Sequence, residues 1–123
     1  LKEMRPDVKI IGVEPVGSVF QGYSREGVLG EASAFDIEGI GKNFIPSVVD
    51  FGCIDDVIQL SDEDARKMVI ELVRCEGILT GESSAAVVAA ALVYAAQSKG
   101  RERIAAVLPD TGLKYLSRYA AAL

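Results

Sequence analysis

Short apolar runs alternate with helical periods along this chain, and that alternation restricts its fold more than any other feature. Residues 8–14, VKIIGVE, form an apolar run closed by Pro15 and the turn-prone Val16-Gly17-Ser18. A run of this kind predicts a strand covered on both faces. Residues 54–60 predict a second strand. Ser61 then stands as an N-cap before Asp62, Glu63 and Asp64, three acids suited to the positive end of a helix dipole. Ala65, Met68, Val69, Leu72 and Val73 follow at the i, i+3, i+4, i+7, i+8 spacing of an amphipathic helix, which Gly77 ends. Ile78-Leu79-Thr80 predicts a very short strand. Gly81-Glu82-Ser83-Ser84 turns from it into a helix running to about Ser98, with Gly100 as its stop. Residues 85–96, AAVVAAALVYAA, are apolar nearly all round, so burial of that helix is expected. Residues 103–108, RIAAVL, predict another strand ended by Pro109-Asp110, and a last helix covers roughly Gly112 to Ala122. The order implies an α/β fold: a three-layer, mostly parallel, doubly wound sheet with right-handed crossovers and helices on both faces.

Between the first two strands the pattern changes. Residues 17–47 hold half of the 12 glycines and no sustained helical period, which predicts a long functional loop. No internal repeat or low-complexity linker interrupts the chain, so its 123 residues suit one domain or part of one. The chain opens on Leu1, and Leu1 to Met4 reads as the end of a helix already under way. A C-terminal piece of a longer protein is therefore expected.

Charge and composition remove several function classes. Lys and Arg number 13 against 18 Asp and Glu, a net charge of −5 with no basic run, which argues against nucleic-acid or anionic-membrane partners. The apolar run at 85–96 falls short of the ~20 residues a membrane helix needs. Histidine is absent, which excludes common Cys/His zinc sites, Ser-His-Asp triads and Cys-His dyads within the chain. Cys53 and Cys75 lack CxxC spacing and are expected to be small buried thiols, reduced in a cytoplasmic protein. The acids at 62–64 predict a solvated helix start and no metal site.

Ligands of open α/β sheets bind beyond the carboxyl ends of the strands. Three segments lie there: the glycine loop, Gly81-Glu82-Ser83-Ser84, and Pro109-Asp110-Thr111-Gly112. The second opens a helix whose free N–H groups favour an anion or acceptor atom. Plain structural readings accompany each: Ser83 or Ser84 as a helix N-cap, Asp110 as the cap of the last helix, and Glu38-Gly39-Ile40-Gly41 as a hinge or a close approach of backbone to ligand.

In order and spacing, these segments resemble the C-terminal part of the pyridoxal-phosphate enzymes of the cysteine synthase and cystathionine β-synthase family (fold type II). The matching residues are Ile11-Gly12-Val13-Glu14-Pro15 with Gly17-Ser18, then Glu38-Gly39-Ile40-Gly41 with Phe44-Ile45-Pro46 and Val49-Asp50. Cys75-Glu76-Gly77-Ile78-Leu79 follows, running into Gly81-Glu82-Ser83-Ser84-Ala85-Ala86, and then Val107-Leu108-Pro109-Asp110 with Lys114-Tyr115-Leu116-Ser117. Gly17-Ser18, Phe44-Ile45-Pro46 and Leu108-Pro109-Asp110 look closer to cystathionine β-synthase than to bacterial cysteine synthase.

The resemblance implies part of the large, pyridoxal 5'-phosphate-binding domain of a two-domain enzyme, a lyase or transferase of sulfur amino-acid biosynthesis. Such enzymes join a serine- or O-acetylserine-derived aminoacrylate to a thiol. It implies cofactor-binding roles for Ser83, whose hydroxyl matches the partner of the pyridine nitrogen, and for Gly81, Pro109 and Asp110. Gly39 and Gly41 match the loop facing the substrate. No catalytic residue is expected in this chain, because the Schiff-base lysine and the phosphate-cradling glycine loop belong to upstream parts of the pattern. The implied partners are the N-terminal part of the same enzyme, small amino-acid and thiol substrates and a second copy in a homodimer. The chain departs from the pattern at Ala85, where the family usually has glycine, and at Lys42, where the cystathionine β-synthase pattern has an aromatic phenol. A serine/threonine dehydratase-like eliminase is the alternative within the class, and a non-catalytic folding or dimerisation module the alternative outside it.

Overall fold

A computed structural model describes residues 1–121 of the chain. Strands β1 (Ile11–Pro15) and β2 (Asp56–Leu60) pair in parallel, with Ile11 opposite Asp56 and Pro15 opposite Leu60. Their connection carries a short helix, α1 (Phe20–Glu26), and the glycine-rich segment, so the pair is a β–α–β crossover. Helix α2 (Asp62–Glu76) starts where expected: the Ser61 side chain accepts a hydrogen bond from the Asp64 N–H. It ends at Gly77, whose φ of 68° lets its N–H reach the Leu72 and Val73 carbonyls. Helix α3 (Glu82–Gln97) packs along α2 and against both strands. Parallel pairing with interleaved helices is the α/β class that the alternation predicts.

The core lies between α2 and α3. Ala65, Val69 and Leu72 on one side meet Ala85, Ala86, Ala89 and Ala90 on the other, all buried. Alanines let the two helices approach closely. The remaining space is filled by Leu60 from β2 and by Ile37, which the glycine-rich segment inserts into the same cluster. That insertion fastens the segment onto the helices. Asp62 Oδ2 accepts from the Asp36 N–H at 2.9 Å, and Arg66 pairs with Asp36 at 3.0 Å. The acids at the start of α2 therefore do more than complement its dipole.

Several elements differ from expectation. The strand predicted at 8–14 is displaced, beginning at Ile11 and including Pro15. Only Thr80 of residues 78–80 pairs, in an isolated antiparallel bridge to Thr111. Residues 103–108 join no ladder, and Val107 is 75% exposed. A strand needs a neighbour for its N–H and C=O groups, and among the described residues none lies beside this run. Helix α3 is buried in its first half only: Leu92 and Val93 are 56% and 40% exposed. The C-terminal helix divides into a 3-10 turn, Gly112–Tyr115, and α4 (Leu116–Tyr119); Ala122 lies outside the described residues. Both cysteines are exposed, not buried. Cys53 sits in the 3-10 turn Phe51–Cys53 with its Sγ 3.4 Å from Asp50, and Cys75 is on the last turn of α2. No described helix is long and apolar enough to cross a membrane.

Helix α1 lies within the segment expected to be loop. Its N-cap, Val19, supplies no side-chain acceptor. The acceptor comes instead from Glu14, the most deeply buried acid of the chain. Its two oxygens take the Phe20 N–H at 2.9 Å and the Gln21 N–H at 2.8 Å, while Gln59, its register partner on β2, donates from Nε2 at 2.9 Å. One carboxylate thus satisfies the start of α1 and joins it to both strands. At the opposite end of the sheet, Asp55 accepts from the Ile10 N–H at 2.7 Å and from Lys2 at 2.6 Å. The Ile10 bond first, and the Lys2 bond next, hold its carboxyl down to about 2.

Glu14→Leu retains the bulk but leaves three donors without an acceptor. Its expected cost is about 3–5 kcal/mol, the scale for breaking a buried charged network. A urea titration followed by far-ultraviolet circular dichroism measures it; a loss below about 1 kcal/mol would show that water replaces the carboxylate at no great cost.

Candidate functional site

The three strand-end segments converge at the first turn of α3. Gly81 is its N-cap, in an extended conformation with φ −74° and ψ 167°, and offers no side chain. Ser83 and Ser84 stand inside the first turn, so neither is the N-cap. Glycine at position 81 is a packing requirement: a Cβ there would lie 2.3 Å from both carboxylate oxygens of Asp110. Asp110 comes this close because Ser84 Oγ donates to its Oδ1 at 3.0 Å. The strap around Asp110 is docked by the Thr80–Thr111 bridge and by the Gly112 N–H on the Leu79 carbonyl at 3.1 Å. Asp110 is not the cap of the terminal turn. Thr111 takes that role, its side chain accepting from the Leu113 N–H. Pro109 precedes Asp110 on the exposed side of the strap.

The glycine loop closes the other side. Gly39 has φ 93°, open to glycine at little cost, and a Cβ on it would rest 3.6 Å from Ser83 Oγ. Gly41, with φ 78°, backs onto the Pro15 ring, which a Cβ would meet at 2.6 Å. The loop is tied to the end of β1 through backbone groups. Ser18 Oγ accepts from the Lys42 N–H at 3.0 Å and lies 3.1 Å from the Lys42 carbonyl, to which it donates. The Val19 N–H donates to the same carbonyl at 3.1 Å. Gly39, Gly81, Ser83 and Asp110 therefore form one cluster; Gly41 adjoins it along the loop, and Pro109 along the strap. Ser83 is only 4% exposed, and its hydroxyl makes no hydrogen bond among the described residues.

Sequence reasoning did not single out Glu82, which stands between these groups and is 4% exposed. Its Oε1 receives Arg118 at 2.7 Å and the Tyr119 hydroxyl in a very short bond, with Arg66 of α2 at 3.5 Å. Burial pushes the Glu82 carboxyl up, but the Tyr119 and Arg118 hydrogen bonds and the charges of Arg118 and Arg66 outweigh it. The group ends below the ordinary glutamate value. Burial, and then the bond to Glu82, drive the Tyr119 phenol well above its ordinary value. A glutamate after glycine at a helix start also suits the dipole, and its partners lie far along the chain, so its sequence signal was ambiguous. A second link crosses the site where Tyr115 Oη lies 3.5 Å from Glu38 of the glycine loop.

This arrangement offers the hydroxyl of a buried serine at a helix start, a carboxylate held at the same turn by Ser84, and a glycine loop alongside. Known proteins are similar to this chain in sequence and fold. A family model described as pyridoxal-phosphate dependent enzyme matches residues 1–110. The O-acetylserine dependent cystathionine beta-synthase of Bacillus subtilis is 40% identical over 118 residues, 96% of this chain and 36% of that protein. The O-ureido-L-serine synthase of Streptomyces lavendulae is 35% identical over 119 residues, 97% of this chain and 35% of that protein. A crystal structure of cysteine synthase from Entamoeba histolytica superposes with a TM-score of 0.84 at 33% identity, covering 100% of this chain and 35% of that one. The chain thus spans about a third of the length of these relatives.

Two outcomes follow from the cluster. Because the Glu82 carboxyl is held below its unfolded value, its contribution to stability is present above about pH 4.3, the ordinary glutamate value, and is lost as pH falls through the folded one. Glu82→Gln should flatten that acid limb of a melting-temperature profile; an unchanged limb would assign acid sensitivity elsewhere. Gly81→Ala should displace Asp110 and destabilise by about 1–3 kcal/mol, the range for overpacking. Calorimetric melting checks the cost, and loss of the Ser84–Asp110 bond in a structure of the variant checks its cause.

Proposed function

The chain belongs to the family of pyridoxal-phosphate dependent enzymes, and on that premise we propose that it forms one wall of the active site of a β-replacing enzyme. It would be the C-terminal portion of the cofactor-holding domain, completed by an N-terminal portion that carries the cofactor lysine. Support for completion by further chain comes from residues 103–108, which expose Ile104, Val107 and Leu108 as an apolar run without a strand neighbour among the described residues. Relatives matched over nearly all of this chain are about three times its length.

The residues fit pyridoxal phosphate. The observation that carries the reading is Ser83, a buried residue whose hydroxyl makes no hydrogen bond among the described residues and would lie 3.6 Å from a Cβ on Gly39, where glycine has none. Ser83 would meet the pyridine nitrogen, Gly81, Pro109 and Asp110 would wall the same side of the ring, and Gly39 and Gly41 would face the amino-acid substrate. When bound, the cofactor supplies an electron sink that acidifies the substrate Cα–H and assists departure of the group on Cβ. Ser83 keeps its proton on a neutral oxygen, so the group that would meet the ring nitrogen is itself uncharged. That moderates the sink and suits prompt loss of the β-substituent. The glycine loop, held by its backbone to Ser18 and Val19, presents N–H and C=O groups to the substrate without side chains in the way. In the overall exchange the Cβ–O bond of serine or an O-acylated serine breaks and a Cβ–S bond to a thiol forms. The α-proton leaves and returns, and the oxygen departs as water or carboxylate. The names of the relatives vary in product, from cystathionine and cysteine to O-ureido-L-serine, each of which contains an alanine unit substituted at Cβ. That supports β-replacement as the shared class.

Ser83→Ala and Ser83→Asp test the reading in the whole enzyme. The alanine variant should still bind cofactor but turn over about tenfold to a hundredfold more slowly, the effect of one lost hydrogen bond in a closed site. Aspartate suits a helix first turn and would serve a purely structural role. As the partner of a ring nitrogen, however, its charge should alter the absorbance of the bound cofactor and lower β-replacement. Native turnover and native absorbance in Ser83→Asp would sink the assignment.

A further inference from the structure

We propose that Arg66 and Arg118 are positioning residues that brace the base of the glycine loop against Glu82, one from α2 and one from the C-terminal strap, and so set how far Gly39 stands from the Ser83 hydroxyl; this rests on the β-replacement reading above. The three residues before Gly39 are anchored one after another. Asp36 accepts from Arg66 at 3.0 Å, Ile37 is buried in the α2–α3 core, and Glu38 takes a long hydrogen bond from the Tyr115 hydroxyl at 3.5 Å. Gly39 has no side chain of its own to anchor, so its place follows from theirs.

Both polar anchors lead to one carboxylate. Arg66 donates to Asp36 from Nη2 while its Nε faces Glu82 Oε1 at 3.5 Å. Arg118 donates to Glu82 at 2.7 Å, and its Cζ lies 5.9 Å from the centre of the Tyr115 ring, whose hydroxyl reaches Glu38. A planar guanidinium can serve two groups from two edges in a fixed geometry, which an ammonium cannot. Glu82 precedes Ser83 just as Glu38 precedes Gly39. The brace therefore ends one residue short of each member of the Ser83–Gly39 pair. No bond joins either arginine to Ser83 or Gly39 among the described residues, so an effect on turnover has to pass through spacing. Partly exposed ion pairs add little to stability. Convergence on a buried carboxylate gives these a different use: Glu82 is left under-compensated when either arginine moves away, so both arms resist stretching.

Hydrogen–deuterium exchange on the cofactor-free whole protein reads the brace without any reaction. The reporter is the Asp36 amide, which is bonded to Asp62 at the base of the loop. Arg66→Gln, Arg118→Gln and Tyr115→Phe should each speed its exchange about twofold to tenfold, the scale of one lost hydrogen bond. The Tyr23 amide of α1 should exchange as in the native protein. Tyr115→Phe leaves every donor to Glu82 in place, so it reads the loop arm even where an arginine variant fails to fold. Turnover of O-acetylserine with 2-mercaptoethanol on the loaded enzyme gives the second reading. Arg118→Gln should lower kcat about threefold to tenfold, part of the loss in Ser83→Ala, with KM values within about twofold. In a Ser83→Ala background the same substitution should change kcat less than about twofold, because residues that act through one group are not additive. Native exchange at Asp36 in all three variants overturns the brace. An undiminished kcat effect in the Ser83→Ala background overturns its action through Ser83. A native enzyme inert towards both substrates overturns β-replacement and the role in turnover, while the exchange rates still decide whether the loop is braced.

Discussion

The Glu82 carboxylate is the point at which the helices of the site are held together. It belongs to α3, takes Arg118 and Tyr119 from the C-terminal strap, and faces Arg66 of α2. Placing a carboxylate there costs desolvation energy, and only the donors surrounding it make the position favourable. The dependence is mutual, because beyond the Thr80–Thr111 bridge and the Gly112–Leu79 bond the far end of the strap is held mainly by this carboxylate. Its helix is a single turn, and Tyr119 is the one residue of that turn that is buried. Asp110 lies on the same strap, so its distance from Gly81 and Ser84 is governed partly by a charge cluster that touches no proposed ligand. Glu14 plays a corresponding part at the sheet, where it orders the turn from which Ser18 and Val19 hold the glycine loop.

What the sequence made legible was what depends on near neighbours. Helix α2 was readable because its cap, first-turn acids, apolar period and terminal glycine all lie within the segment itself. The paired strands were readable from apolar runs bounded by turn residues. Helix α1 was not, because its acceptor is supplied from Glu14 on the preceding strand, and none of its own residues is buried to impose a period. Burial of α3 was overestimated for a related reason: hydropathy reports what a helix can bury, not how far its partner extends. The apolar run at 103–108 has the composition of a strand, but pairing is a property of two segments. The exposed cysteines are the converse case, in which residue type outweighed position.

At the site, the resemblance brought Gly39, Gly81, Ser83 and Asp110 to attention together, and the fold places them in one cluster. Their local readings were less secure. Serines 83 and 84 and Asp110 were all plausible caps, yet Gly81 and Thr111 take those positions. The side chains thus left over at the helix start have different tasks. Ser84 holds Asp110, while Ser83 remains without a hydrogen bond among the described residues. Such a division cannot be read from a Gly-Glu-Ser-Ser string, since it depends on which oxygen the folded strap brings within reach.

The clamp between Ser18 and Lys42 has a consequence for how such a loop can change. Its bonds run from a serine hydroxyl and a backbone N–H to the peptide groups of residue 42, and the side chain at 42 takes no part in them. Loop shape and loop chemistry are therefore uncoupled at that position. A residue of another size or charge could be exchanged there without refolding the turn, whereas a proline would remove the N–H that Ser18 receives. Position 42 is in this sense a replaceable fitting on a fixed mount, where a lineage or a designer could change what the loop presents while the backbone beneath it stays as it is.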